Sequence, residues 1–142
     1  MRVLGLDIGE RRVGVAVSDA RAHVATPLTV LDGPLSADIA ALRRLVDDYE
    51  VETLVVGLPL SMNGQEGPQA VRVRHEADGL ARLLPVSVVY YDERLSSAEA
   101  NRLMAEAGAS SRKRRGSVDM VAAAIVLQSY LDANRDTEDG EE

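Results

Sequence analysis

Three runs of aliphatic and β-branched residues crowd into the first 31 positions, Arg2 to Ile8, Arg12 to Ser18 and Val24 to Leu31, before any helical spacing begins. Runs this short, separated by Gly9 and Glu10 and then by Asp19 to Ala22, predict an antiparallel meander. The period then changes. Ser36 is placed to cap a helix in which Ile39, Leu42, Leu45, Val46 and Tyr49 recur at helical spacing. Thr53 to Pro59 is an uninterrupted apolar run of the kind that forms strands with parallel neighbours. A polar segment, SMNGQEGP, follows as a loop, and Pro68 opens a helix extending to about Leu84. Val86 to Tyr91 reads as a fifth strand. Ser96 and Glu99 form a capping box for a helix that Gly108 stops, and Ser117 to Leu131 forms a last helix after a basic loop.

The chain of 142 residues suits one domain, residues 1–131, followed by a solvated, disordered acidic tail, residues 132–142. The tail matters to the charge. Its six acids against Arg135 alone account for −5 of the net −7, which leaves −2 on the body. A body so close to neutral, with its arginines clustered, is compatible with a nucleic-acid partner. There is no cysteine, so disulfides, zinc-thiolate sites and thiol nucleophiles are excluded and a cytoplasmic location is expected. No apolar run is long enough to suggest a membrane span.

Three acids stand at places where secondary structure would bring them together. Asp7 lies near the end of the first strand, Glu93 just after the fifth, and Asp119 at the start of the last helix. Singly, each has an ordinary explanation as a turn residue, a surface ion-pair partner or a first-turn acid. Together they make a set of hard oxygen ligands for Mg2+ or Mn2+. Three antiparallel strands followed by alternating helices and strands is the order of the ribonuclease H-like fold, an α/β architecture with a mixed five-stranded sheet flanked by helices. There Asp7 occupies the central strand. At about 100° per residue, Asp119 shares a helix face with Ala122, Ala123 and Val126, small enough to let the helix lie close to the sheet. Arg11 and Arg12 project beside Asp7, while Arg112, Lys113, Arg114 and Arg115 precede Asp119, so both clusters are candidates for holding phosphates.

The motifs LGLDIGERRVGVAVSD, GLPLSMNGQEGPQA, YYDERLSS and VDMVAAAIVLQ, in this order, resemble those of the YqgF family, also called the RuvX or pre-16S rRNA nuclease family. The resemblance runs from Arg2 to about Leu131. It implies a ribonuclease H-like fold, Asp7, Glu93 and Asp119 as an acidic triad, a divalent metal cofactor, and hydrolysis of phosphodiester bonds to leave 5′-phosphate and 3′-hydroxyl ends. The implied substrate is precursor 16S rRNA at its 5′ end, with branched DNA such as a Holliday junction as the alternative, and the chain would act as a monomer or a homodimer. Departures from the family pattern fall on phosphate-holding positions: Glu10-Arg11-Arg12 stands at the turn, Met120 follows Asp119, and Ser96-Ser97 replaces a Thr pair.

Two other classes share parts of this pattern. A non-catalytic nucleic-acid-binding module would keep the fold without needing the acids. GLDIG also resembles the phosphate loop of actin-like ATPases and sugar kinases, which close two such domains around a nucleotide where this chain supplies one.

Overall fold

In the computed structural model, which describes residues 2–96, 102 and 117–141, the β-rich runs pair as their order demands. Strands β1 (Arg2–Ile8), β2 (Arg12–Ser18) and β3 (Ala25–Asp32) form the antiparallel meander. Strands β4 (Val51–Leu58) and β5 (Ser87–Asp92) extend the sheet in parallel from the other side of β1, giving the order β3-β2-β1-β4-β5. This is the predicted mixed five-stranded sheet, with the strand bearing Asp7 at its centre. Helices α1 (Ile39–Asp48), α2 (Pro68–Asp78) and α3 (Leu80–Leu83) precede the long α4 (Ser117–Glu141).

The period-two alternation of the strands sorts their side chains onto two unlike faces. One face carries Leu4, Leu6, Ile8, Val13, Val15 and Val17, which pack with Leu42 and Val46 of α1 and with Ala70, Val73 and Ala77 of α2. The other face is built from small residues. Ala16, Ala25 and Val55 meet Ala123, Ala124, Val126 and Leu127 of α4. Beneath the helix the strands carry glycine: a Cβ on Gly5 would lie 2.7 Å from the Cβ of Leu127, and one on Gly14 would lie 1.9 Å from the carbonyl oxygen of Asp119. The first turn of α4 therefore rests on bare backbone, closer to the sheet than any side chain allows. Farther along, the buried Gln128 fastens α4 to the start of β3 by accepting from Ala25 N at 2.9 Å and donating to the carbonyl of His23 at 2.9 Å.

Three boundaries differ from the sequence reading. Ser36 does not cap α1; Leu35–Ala37 form a 3-10 turn that buries Leu35 fully, and Asp38 occupies the cap position instead. The single helix expected from Pro68 to Leu84 breaks at Gly79, beyond which Leu80 and Leu84 are buried. Strand β3 starts at Ala25 because Val24 is occupied in a turn, its N–H bonded to the carboxylate of Asp19. Helix α4 is described to Glu141, and within it Asp132 accepts from Gln128 and Arg135, pairs spaced to support a helix. The helix expected from Ser96 to Gly108 and the basic loop before Ser117 lie outside the described residues. Among the described residues no helix is long and apolar enough to cross a membrane.

Substituting Gly14→Ala is expected to destabilise the chain by about 3 kcal/mol, because the backbone carbonyl it meets cannot rotate away as a side chain would. Gly79→Ala, in ordinary helical conformation with its nearest neighbour at 4.0 Å, is expected to be neutral or to stabilise by about 0.5 kcal/mol. Urea unfolding of both variants checks the contrast; equal midpoints would contradict the close-packing argument.

Candidate active site

Asp7 shares its sheet face with Gly5, so its side chain emerges on the side covered by α4. Glu93 starts far from it. The residue follows β5 directly, in the 3-10 turn Glu93–Leu95, and β4 lies between β5 and β1. Gly57 of β4 removes the obstacle, since a Cβ there would stand 2.7 Å from Oε1 of Glu93. Glu93 thus leans across the bare backbone of β4, and its carboxyl group reaches the Asp7 carboxylate in a hydrogen bond. The turn that aims it is itself secured. Asp92 accepts from the backbone N–H of Arg94 at 2.9 Å and holds the Arg94 guanidinium in a fork, with contacts from 2.7 to 3.1 Å.

Two carboxyl groups in hydrogen-bond contact share a proton, and their surroundings decide how tightly it is kept. Burial, then repulsion from Asp7 and the hydrogen bond to it, push Glu93 up to about 7. Asp7 is also raised, chiefly by burial and further by the charge of Asp119, against which the hydrogen bond from Glu93 works. The hydrogen bond between them acts in opposite senses, raising Glu93 and lowering Asp7. Beside the pair lies an open depression of about 290 Å³, lined by Asp7, Glu93 and Ser96 on one side and Ala122, Ile125 and Val126 of α4 on the other.

Asp119 stands nearby but turns elsewhere. It opens α4 above Gly14, which is the cross-strand partner of Asp7, so its charge acts on Asp7. Its carboxylate faces the Arg12 guanidinium at 3.9 Å, a loose and half-exposed pair. Among the described residues no three acidic or histidine side chains converge closely enough to hold one ion between them. The structure brings two of the expected acids into contact and leaves the third within electrostatic reach.

Arg11 and Arg12 are exposed on the turn between β1 and β2, which Gly9 closes by donating its N–H to the carbonyl of Arg12 at 2.9 Å. Arg112, Lys113, Arg114 and Arg115 lie outside the described residues. Asp19 accepts from His23 N and Val24 N, and Asp92 is committed to Arg94. His23 and His75 are exposed. Sequence reasoning missed Arg72, which reaches from α2 to the carbonyls of Gly9 and Ile8 at 3.2 and 3.4 Å, supporting the end of the Asp7 strand. It also missed the part played by Gly14 and Gly57. Glycine inside runs of valine and leucine was the available signal, because such positions mark a close backbone approach.

The raised carboxyl groups make stability depend on pH with a definite sign. A folded-state pKa above the unfolded value contributes stability below the ordinary carboxylate range, near 4.5 for Glu, and loses it as pH rises through about 7. Glu93→Gln removes that loss. Without divalent ions the variant is expected to exceed the wild type at pH 8 by about 1–2 kcal/mol, allowing for partial exposure, with the gap closing toward pH 5. Thermal unfolding across pH checks this; a gap that stays constant or widens toward acid would contradict the shared proton.

A family model described as "RuvX: Holliday junction resolvase" matches residues 1–133. A protein of Chloroflexus aggregans (strain MD-66 / DSM 9485) is 46% identical over 134 residues, covering 94% of each chain, and one of Moorella thermoacetica (strain ATCC 39073 / JCM 9320) is 48% identical over 133 residues, covering 93% of this chain and 95% of its own. Both carry the name "Putative pre-16S rRNA nuclease". Among solved structures, Thermus thermophilus RuvC in complex with a Holliday junction substrate aligns with a TM-score of 0.63 at 19% identity, over 95% of this chain and 96% of its own. The Fowlpox virus resolvase bound to Holliday junction DNA aligns at 0.60 and 9% identity, over 94% and 99%. At such identities the two resolvases establish the fold, a ribonuclease H-like sheet, and the sequence matches establish more: this chain belongs to the RuvX family.

Proposed function

We propose that this protein is a divalent-metal-dependent nuclease of the cytoplasm that hydrolyses phosphodiester bonds and matures the 5′ end of precursor 16S rRNA. The observation that carries the reading is the Asp7–Glu93 pair, one carboxyl group from β1 and one from the turn after β5, held together over glycine at partial burial. Such a pair is unfavourable when fully ionised and is relieved by either a proton or a cation. The name carried by the relatives supports RNA as the substrate.

The donor set fits Mg2+ or Mn2+, since the described residues lining the site offer oxygen donors, the carboxyl groups of Asp7 and Glu93 and the hydroxyl of Ser96, without sulfur or imidazole. Asp7 and Glu93 would hold the ion, and Asp119 would join once it releases Arg12. A bound divalent ion supplies a water acidic enough to attack at neutral pH and offsets the charge gathering on the phosphate. The chain's own residues do the rest. Glu93 gives up its proton as the site loads, and Asp7, on the central strand, fixes the position of the site relative to the sheet. Arg12, half-exposed and only loosely paired at 3.9 Å, can exchange Asp119 for a substrate phosphate, and Arg11 adds a second cation on the same turn. The basic residues Arg112, Lys113, Arg114 and Arg115 would extend that grip along the backbone of the nucleic acid.

The family description favours a second reading, resolution of branched DNA. A resolvase cuts two strands in symmetry and requires a dimer, whereas end maturation is complete in a monomer. Sedimentation with and without a four-way junction separates them.

Cleavage of a precursor rRNA fragment in Mn2+ tests the main reading. Asp7→Asn and Glu93→Gln are each expected to lower kcat by about a thousandfold while remaining folded, and chelation should abolish wild-type activity. Arg12→Ala should raise KM about tenfold with a smaller change in kcat. Undiminished cleavage by Asp7→Asn would place the chemistry elsewhere.

A further inference from the structure

The three most exposed large apolar side chains among the described residues all lie at the carboxylate end of the molecule. Met62 is 95% exposed, Val118 78% and Leu95 61%; Val118 precedes Asp119 and Leu95 follows Glu93 by two positions. Exposed apolar side chains scattered singly need no account, but three gathered around one site do. Met62 is the extreme case and also the most firmly presented.

Its loop is a built object. Gly64, at φ +83°, closes a turn by donating its N–H to the carbonyl of Ser61 at 2.9 Å, and Ser61 N donates to the carbonyl of Gln65 at 3.0 Å. The Ser61 hydroxyl bonds to the side chain of Asn63, which also accepts from Gln65 N. The amides of Ser61, Gly64 and Gln65 are thus bonded within the loop, which fixes its shape. Arg94, already forked onto Asp92, donates to the carbonyl of Met62 at 3.3 Å. The residue next to Glu93 therefore ties down the loop and leaves the Met62 side chain standing out at its tip.

The aromatic inventory explains what such a side chain is for. The chain has no Phe or Trp, and each of its four Tyr is engaged. Tyr49 packs against the core, Tyr90 bonds to Asp78 beneath the Arg74 guanidinium, and Tyr91 meets Tyr130 edge to face at 6.2 Å. No tyrosine ring is left free to receive a base, and a polarizable thioether is a side chain suited to replace one.

We propose that Met62 is a substrate-contacting residue: its thioether packs against an unstacked nucleobase of the substrate while the neighbouring phosphate is held near Asp7 and Glu93. Leu95 and Val118 continue the apolar rim on which flanking sugars and bases rest. Apolar wedges set against base steps are a known means of separating them. The proposal rests on the nuclease reading for its substrate class, and its test is arranged to stand apart from cleavage.

Full-length Asp7→Asn protein, which holds substrate without turnover, is titrated with a duplex RNA bearing a single-stranded 5′ extension and carrying 2-aminopurine at successive positions in turn. With Met62 present, emission is expected to rise severalfold at one or two positions as the base leaves its stack. Adding Met62→Gln, of similar length but polar, should remove that rise and weaken binding to the extended RNA about two- to tenfold, with blunt duplex binding unchanged. Met62→Leu should restore both. Emission that stays flat at every position under saturating protein, or rises equally with Met62→Gln, overturns the proposal; absence of any RNA binding overturns it together with the nuclease reading. Met62-dependent unstacking in a protein whose wild type cleaves nothing would uphold the contact and sink only the nuclease reading.

Discussion

A Cβ placed on Gly14 would stand 1.9 Å from the carbonyl oxygen of Asp119, and one on Gly57 would stand 2.7 Å from the Glu93 carboxyl. These two absent side chains set the distance between α4 and the sheet and between Glu93 and Asp7. The core on the opposite face is built from leucine and valine and tolerates the usual exchange of volume among them. The face beneath α4 has no such latitude, because backbone meets backbone there. The site is thus a consequence of how little lies between layers.

From that spacing the electrostatics follow. Asp7 lies on β1 and Glu93 in the turn after β5, with β4 between those strands, yet they meet because β4 presents hydrogen in place of a side chain. Once in contact and partly removed from water, they cannot both carry charge without a partner, and Glu93 keeps its proton up to about 7. Asp119 instead faces Arg12 at 3.9 Å. The arrangement stores a demand for positive charge that a proton meets at low pH and that, on the proposed reading, a divalent ion meets at neutral pH.

Much of this was legible from residues alone, and the exceptions share a cause. Five strands and their order followed from the spacing of valine, leucine and isoleucine, and the acids at Asp7, Glu93 and Asp119 stood out by their positions at element ends. The small face of α4 at Ala122, Ala123 and Val126 pointed to close packing, but only half of the contact was visible. The strand glycines complete it, and their meaning depends on which strands become neighbours, a tertiary fact. The orientation of Asp119 toward Arg12 is likewise set by where the β1–β2 turn falls in space. Local patterns also yielded to packing at Ser36, displaced from its cap by the buried Leu35, and at Gly79, where a continuous helical pattern breaks so that Leu80 can be buried.

Exchange of a proton for a metal ion is the most direct expression of this account. Calorimetric titration of the wild type with Mn2+ at pH 6, repeated in buffers of different ionisation enthalpy, measures the protons released on binding. The account requires release approaching one proton per chain at pH 6, falling toward zero by pH 9, and little release from Glu93→Gln at either pH. Metal binding without proton release at pH 6, or the same release from Glu93→Gln, would contradict it.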